Sequence, residues 1–417
     1  MNKLLWLKTQ SILSEKFVSH SHPRYEWRGI NAQNKKMKKT TVFDVLVVYT
    51  DGVATSASSK KINSELPFSR KSKRTNYNDA YAYFLQTCSK NNIKAAFTTS
   101  KDLTSDNHFK SYWIYKNKVW KKIENNCSAL LIFDKFSPIN KIQKERRISL
   151  FSDSTIKPFN NPELFSLFFD KQKTYDELTE FGIPTVFIKN KSHKDIIDAL
   201  GKLSLLLNTH PNRSDFSSEF VLKDRYGAGG SSIYKVASTG RVSKISEILE
   251  NDSKKSFILQ PFTIFDGGSK YHKFKGLVDV RVIFMGNKII QAYIRTAKEN
   301  DFRCNEHLGG SLEYIDIKKI PRKIMAMAQK ISELVCKNKS LYALDFVVTN
   351  NGNVYLMEGN TSPGIDWNLS LRRNELKSKK LIREIVKELL SRIISPNFIP
   401  GISLNTIIPI GIPVQAV

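Results

Sequence analysis

The stretch from Leu344 to Asn360 constrains this chain most. Residues 344–349 (Leu-Asp-Phe-Val-Val-Thr) and 354–360 (Val-Tyr-Leu-Met-Glu-Gly-Asn) are β-prone runs on either side of the dipeptide Asn351-Gly352. Asn-Gly supplies the positive φ angles that a two-residue hairpin turn requires. Such a turn sets Asn350 opposite Asn353 and, further along both strands, Asp345 opposite Glu358. Carboxylates in direct cross-strand register repel one another, and a cation between them removes that cost. Asn360 falls on the same face and adds a neutral oxygen. Asp345, Glu358 and Asn360 together make an all-oxygen donor set suited to Mg²⁺ (or Mn²⁺), a hard cation that shares its shell with substrate phosphates. A surface hairpin with both acids solvated fits the same spacing.

The rest of the chain reads as mixed α and β. Residues 41–49 and 93–98 are apolar strand runs, with a helical stripe between them over residues 76–91 and a third strand at 129–133. Strand–helix–strand order at these intervals predicts a parallel-sheet α/β domain over residues 37–157. Residues 56–74 are polar and basic and read as an exposed loop. Residues 158–395 carry a helix over 162–181, strands near 186–189, 219–223 and 257–262, a hairpin over 278–295, and amphipathic helices over 321–337 and 374–395. Residues 1–36, polar and irregular before Met37, read as a disordered extension or as an upstream start that is not used. Residues 396–417 form a Pro-interrupted tail.

Composition narrows the function. A chain of 417 residues, 41% hydrophobic and 25% charged, is long enough for two or three domains. It has no apolar run of membrane-spanning length, so no membrane partner is expected. Its N-terminus shows no secretory pattern, and its four cysteines, spaced far apart, suit neither zinc nor a disulfide framework; a reducing cytoplasm fits. The net charge of +27 suits nucleic acid through counterion release. It equally suits lysine-rich solvated faces that attract small anions such as ATP. No recognition helix, zinc finger or RNP-like aromatic pattern accompanies the charge, so nucleic acid stands as the alternative partner.

Two segments carry phosphate chemistry. Val221-Leu222-Lys223 leads into Asp-Arg-Tyr-Gly227-Ala-Gly229-Gly230-Ser231, a strand, a point charge and a glycine-rich turn whose N–H groups can line an anion-binding concavity. The spacing is neither that of a Walker A loop nor that of a dinucleotide fingerprint. Asp279 and Arg281 open the 278–295 hairpin, and Arg295 and Arg303 follow it. Arginines fit carboxylates and phosphates in two-point contacts. With Gly286-Asn287 as a two-residue turn, Arg281 and Arg295 fall on opposite faces unless the ribbon bulges.

In order along the chain, these segments are Asp170-Lys171, Lys223 with its glycine turn, Leu-Gln260-Pro261-Phe262, Asp279-Val-Arg281, Arg295-Thr-Ala-Lys-Glu-Asn-Asp-Phe-Arg303-Cys-Asn305, Asp345, and Glu358-Gly-Asn360-Thr-Ser-Pro-Gly. This pattern resembles the ATP-grasp superfamily, and within it the RimK-like carboxylate–amine ligases. The resemblance implies a pre-ATP-grasp-like α/β domain followed by an α+β ATP-grasp domain pair clasping ATP. It implies phosphate contacts from Lys171 and Lys223, and a mobile loop over Gly227, Gly229, Gly230 and Ser231. Gln260, Pro261 and Phe262 would lie at the adenine, with Asp279 near the nucleotide. Arg303 and Asn305 would line the triphosphate, Arg295 would meet the substrate or reacting phosphate, and Asp345, Glu358 and Asn360 would hold the metal. The implied reaction joins a carboxylate to an amine through an acyl phosphate. Its partners would be an amino acid or peptide, and the family admits homo-oligomers. Two departures stand out. Pro261 occupies a usually acidic position, and Gly359 replaces an apolar residue between metal ligands.

Overall fold

The computed structural model describes residues 40–395 except 62–63, 105–107, 139, 154, 231, 268–275, 337–338 and 368–370. The N-terminal extension, the C-terminal tail and Ser231 therefore lie outside the described residues.

The first layer is built from β1 (Thr41–Tyr49), α1 (Tyr77–Lys90), β2 (Ala95–Thr99), β3 (Tyr112–Lys116), β4 (Val119–Ile123), β5 (Cys127–Lys135), α2 (Lys141–Ser152) and β6 (Lys157–Pro158). Its sheet order is β4-β3-β2-β1-β5-β6. β1 runs parallel to β2 and β5, as the strand–helix–strand rhythm predicts. β3 and β4 are an antiparallel hairpin added at one edge, so the sheet is mixed rather than wholly parallel. The loop expected to be exposed at residues 56–74 instead buries Ser56, Ser64 and Phe68. Phe68 sits in an aromatic cluster with Tyr49, Tyr77 and Phe97. Ser56 also donates to the buried Asp102 carboxylate at 2.6 Å, so an aromatic and a polar contact both hold the loop inward.

Next come α3 (Pro162–Phe169), α4 (Lys171–Glu177), β7 (Val186–Phe187), α5 (His193–Asn208), β8 (Phe216–Asp224), β9 (Ile233–Val236), α6 (Arg241–Asn251) and β10 (Phe257–Thr263). The single helix expected over 162–181 is two. Asp170 breaks it and caps α4, accepting from the Gln172 and Lys173 amides. The strands form a four-stranded sheet, β7-β10-β8-β9, whose Leu222, Phe257 and Leu259 pack on α5 and α6. Strand alternation turns Lys223 and Gln260 to the other face.

The third sheet, β13-β12-β11-β14-β15, comprises β11 (Val278–Met285), β12 (Lys288–Thr296), β13 (Ser311–Ile315), β14 (Leu341–Val348) and β15 (Val354–Asn360). It is flanked by α7 (Arg322–Val335) and α8 (Arg372–Ile393). Val280, Val282, Ala292, Ile294, Leu344 and Phe346 cover one face against α7 and α3. On the opposite face Ile283, Tyr293 and Ala343 continue into a core shared with α1, α8 and the first sheet. The alternating positions Asp279, Arg281, Arg295 and Asp345 share that second face, and this places the charges.

Candidate active site

Two β-bulges create the charged face. After the two-residue turn, Met285 pairs with Lys288 and Phe284 with Ile289, but Ile283 pairs with Gln291, leaving Ile290 over. An extra residue flips every position beyond it to the other face. Asp279 thereby comes opposite Arg295, and Arg281 opposite Tyr293. The conflict between Arg281 and Arg295 noted in the sequence is resolved by this bulge.

The second bulge corrects an error in the expected turn. Asn351-Gly352 does not form a two-residue loop. Val348 pairs with Val354, the Gly352 amide donates to the Thr349 carbonyl at 2.8 Å, and Gly352 has φ 78°. This wider loop displaces the register by one. Met357 then bulges out and restores it, so Asp345 does face Glu358. The side chains of the loop explain the preference: Asp215, fully buried, accepts from Thr349 Oγ1, Asn351 Nδ2, Asn353 Nδ2 and Tyr355 OH at 2.8–2.9 Å. The asparagines serve as tertiary anchors, and a tight turn would forfeit those bonds.

The two bulges align a row Tyr293–Arg281–Asp345–Glu358 across four strands. Asp345 is completely buried and takes two bonds of 2.5 Å from Arg281 and one of 2.7 Å from Arg295. Arg295 also grips Asp279 at 2.7 and 2.8 Å. Burial alone pushes the Asp345 carboxyl up, but the two guanidinium groups hold it well below the usual carboxylate range. Asp279, with one arginine and the Asp345 charge beside it, is raised by burial to about 6. Glu358 is looser: its side chain is 29% exposed and 3.7 Å from Arg281. The Asn360 side-chain oxygen accepts from the Ser362 amide at 2.7 Å.

Facing this row, the four-stranded sheet supplies cations. Burial lowers the Lys223 ammonium to about 8, and the Glu358 carboxylate opposes the shift. Burial also lowers Lys171, again against Glu358. The two lysines and Glu358 thus share one electrostatic cleft. Lys171 donates to the Gly227 carbonyl and its amide to the Arg225 carbonyl, so α4 holds the start of the glycine loop. Asp170 secures that corner with a two-point pair to Arg225, 2.6 Å on each arm. At the loop's other end Gly230 has φ 76°, and a Cβ there would come within 2.6 Å of Asn305 Oδ1. Arg303, paired with Asp301, reaches the Gly230 carbonyl at 3.4 Å. Glycine is therefore required at Gly230 by both torsion and space.

The remaining expected positions fall nearby with mixed fit. Gln260 is buried and donates to Thr185 Oγ1 at 2.8 Å. Pro261 lies in β10 beyond the two residues paired with β7, where only β8 flanks the strand and the missing N–H costs no ladder bond. Phe262 stacks edge-on to Phe302 and lies under the Lys235 ammonium at 4.0 Å. Gly359 is explained by space: a Cβ would strike the Phe168 ring at 2.2 Å. Asp279 is paired with Arg295 and so acts through it. Arg281, not singled out beyond its place in the hairpin, is central; its signal was the Asp-x-Arg alternation.

Among the described residues no group of three or more His, Cys, Asp or Glu side chains is arranged for a metal ion. The set here is two carboxylates and an amide oxygen on one ribbon face. That chemistry fits a hard cation completing its shell with phosphate oxygens, provided Asp345 shares an oxygen now held by arginine. No helix among the described residues is long and apolar enough to cross a membrane.

Comparison with known proteins agrees with the geometry. Residues 203–385, which span β8 through β15 and part of α8, match the model of the RimK-like ATP-grasp domain. An 88-residue stretch is 39% identical to a probable alpha-L-glutamate ligase of Vibrio parahaemolyticus, covering 21% of this chain and 27% of that protein. The match therefore spans little more than a quarter of that relative's length. A longer match, 23% identical over 254 residues, is to a probable alpha-L-glutamate ligase of Haemophilus ducreyi and covers 60% of this chain and 74% of that one. The fold is that of the D-alanyl-alanine synthetase A of Vibrio cholerae, with a TM-score of 0.53 at 15% identity over 84% of this chain and 99% of that one.

Proposed function

Because this chain carries a RimK-like ATP-grasp domain, we propose that it is an ATP-dependent ligase joining a carboxylate to an amine, with release of ADP and phosphate. The observation that carries this reading is the cleft itself. Lys171 at the start of α4, and Lys223 with its glycine loop on one sheet, face Arg281, Arg295, Asp345 and Glu358 on another, within electrostatic reach of Glu358. Such a set would meet a triphosphate with lysine charge on one side and, through a bound Mg²⁺, with the acid row on the other.

The proposed chemistry has two steps. A substrate carboxylate attacks the γ-phosphorus, forming an acyl phosphate and ADP. An amine then attacks the acyl carbon, forming the amide and expelling phosphate. Phosphoryl transfer asks the protein for alignment and charge neutralisation rather than a nucleophile. Lys171 and Lys223 act as point charges on phosphate oxygens. Arg295, held in place by Asp279, lies ready for the transferring group. Gly227, Gly229 and Gly230 cover it, and Arg303 and Asn305 support that cover, shielding the acyl phosphate from water. Gln260, Pro261 and Phe262 border the base. Asp345, Glu358 and Asn360 would hold Mg²⁺, which when bound neutralises phosphate charge. The names of the relatives make L-glutamate the first amino acid to test.

The test is ADP release from MgATP with L-glutamate and a panel of amines and short peptides. Turnover is expected to require both a carboxylate and an amine, and Glu358→Gln is expected to lower it at least about a hundredfold. Release of ADP with no amine incorporated into product would overturn the amide-forming reading.

A further inference from the structure

Lys135 is a buried cation that this mechanism leaves unused. It ends β5, with only 6% of its surface exposed. Its ammonium donates to the Pro363 carbonyl at 2.6 Å, its sole hydrogen bond among the described residues. An ammonium has three N–H donors, so two lack acceptors among the described residues, and unmade hydrogen bonds of a buried charge are costly. The neighbouring Asp134 carboxylate is engaged by Arg147. Burial lowers the Lys135 ammonium to about 8, with Asp366 and Asp134 opposing. A tie to one carbonyl could be made by a neutral side chain at less cost. Among the described residues the ammonium therefore keeps spare donors, with the Phe133 ring 5.8 Å away and Asp366 and Asp134 as its charge neighbours.

The location points to a ligand. Lys135 pairs in register with Tyr49 of β1, and the chain leaves β1 through α1 to β2 on the far side from β5. That junction is a topological switch point, and ligands of open α/β sheets bind outside the carboxyl ends of the strands there. Pro363 lies three residues beyond Asn360, at most about 11 Å of extended chain from the candidate metal ligands. The same segment is held by Asn160, two residues past β6, whose Nδ2 donates to the Thr361 carbonyl at 2.6 Å. Asp366, which accepts from Asn76 at 3.0 Å, exerts its charge on Lys135, Tyr77 and Glu306, and Glu306 in turn feels Arg295. Lys135 is thus hydrogen-bonded to the segment that directly follows the candidate metal ligands.

We propose that the Lys135 ammonium anchors the non-reacting carboxylate of the amino-acid substrate at the seam between the first sheet and the Ser362–Gly364 turn. The proposal rests on the ligase reading for the identity of that substrate as an amino acid. It makes Lys135 a specificity residue supplied by the N-terminal domain, outside the matched RimK-like region.

The experiment is calorimetric titration of the full chain with L-glutamate, L-glutamine and L-isoglutamine, with a non-hydrolysable MgATP analogue titrated separately. Wild type is expected to bind glutamate and to lose at least about tenfold affinity for one of the two amides. Lys135→Gln should weaken glutamate binding by a similar factor and erase the preference over that amide, while the nucleotide affinity stays within about twofold. Lys135→Arg should recover part of the loss. Equal binding of all three ligands by wild type, or no glutamate binding, overturns the proposal even if Lys135→Gln fails to fold. Unchanged glutamate binding by a folded Lys135→Gln does the same. Loss of nucleotide binding by wild type would instead strike the ligase reading.

Discussion

The two sheets that face each other across the cleft treat charge in opposite ways. The five-stranded sheet locks its charges together: Asp279, Arg281, Arg295 and Asp345 form one buried set with every distance at or below 2.8 Å. The four-stranded sheet pairs Lys235 with Glu219 at 2.7 Å but leaves its cleft-facing lysine open. Lys223 has no ion-pair partner within bonding distance among the described residues, and its ammonium is depressed by burial. The locked set fixes geometry before a substrate arrives. The open lysine holds unspent affinity that an incoming phosphate can satisfy. A site for phosphoryl transfer needs both, a rigid frame on one side and unmet charge on the other.

The sharpest break in this contrast comes from Asp345→Asn. Removing one carboxylate leaves Arg281 and Arg295 mutually exposed in a dry site, and uncovering a buried charge in this way costs about 3–5 kcal/mol. Denaturant unfolding should show that loss, and any folded fraction should lack ADP release. If Asp345→Asn unfolds at the wild-type midpoint, the frame is not locked and the comparison fails.

Lys223→Met should behave in the opposite sense on stability. Burial disfavours the Lys223 charge, so a methionine of similar shape relieves desolvation and leaves the unfolding midpoint unchanged or raised. MgATP affinity should fall at least about tenfold, the scale of one charge-assisted contact to phosphate. A variant that is less stable and still binds nucleotide normally would make Lys223 a frame residue like Asp345.

How much of this could be read from the chain depended on whether the signal was local. Strand alternation around Lys223 and the Asp-x-Arg pattern of β11 are local, and both faces follow from them. The bulges at Ile290 and Met357 are not, because they answer to neighbouring strands and have no composition of their own. Asp345 stands opposite Glu358 as a two-residue turn predicts, although the loop is wider, since the wider loop and the Met357 bulge cancel. Asp215, the buried anchor that forces that loop open, lies far away in sequence, immediately before β8. The arginine clamp on Asp345 was likewise hidden, because the two-residue turn put Arg281 and Arg295 on opposite faces. The break at Asp170 was locally encoded: an aspartate before Lys171 is a good N-cap, and apolar periodicity obscured it. Gly359 departs from the pattern by sequence and is required by Phe168, which reaches it from α3.

The smallest effect is in pH, and it separates the two sheets without mutating the frame. The ordinary lysine value is 10.5, and Lys223 stands near 8 when folded. Below pH 8 the ammonium is charged in both folded and unfolded chains, and its burial cost is fully present. Between pH 8 and 10.5 the folded chain sheds this proton while the unfolded chain keeps it, so stability rises with pH. Lys135 titrates in the same window, so an unfolding curve cannot tell the two apart. Nucleotide affinity can. Phosphate favours the charged lysine, so MgATP binding should draw in a proton above pH 8 and weaken by up to about tenfold per pH unit there. Calorimetry in buffers of different ionisation enthalpy measures that uptake directly. Lys223→Arg keeps its charge throughout and should flatten the profile, whereas Lys135→Arg should leave it sloped. A slope that survives Lys223→Arg would place the titrating group elsewhere and remove the distinction between an open sheet and a locked one.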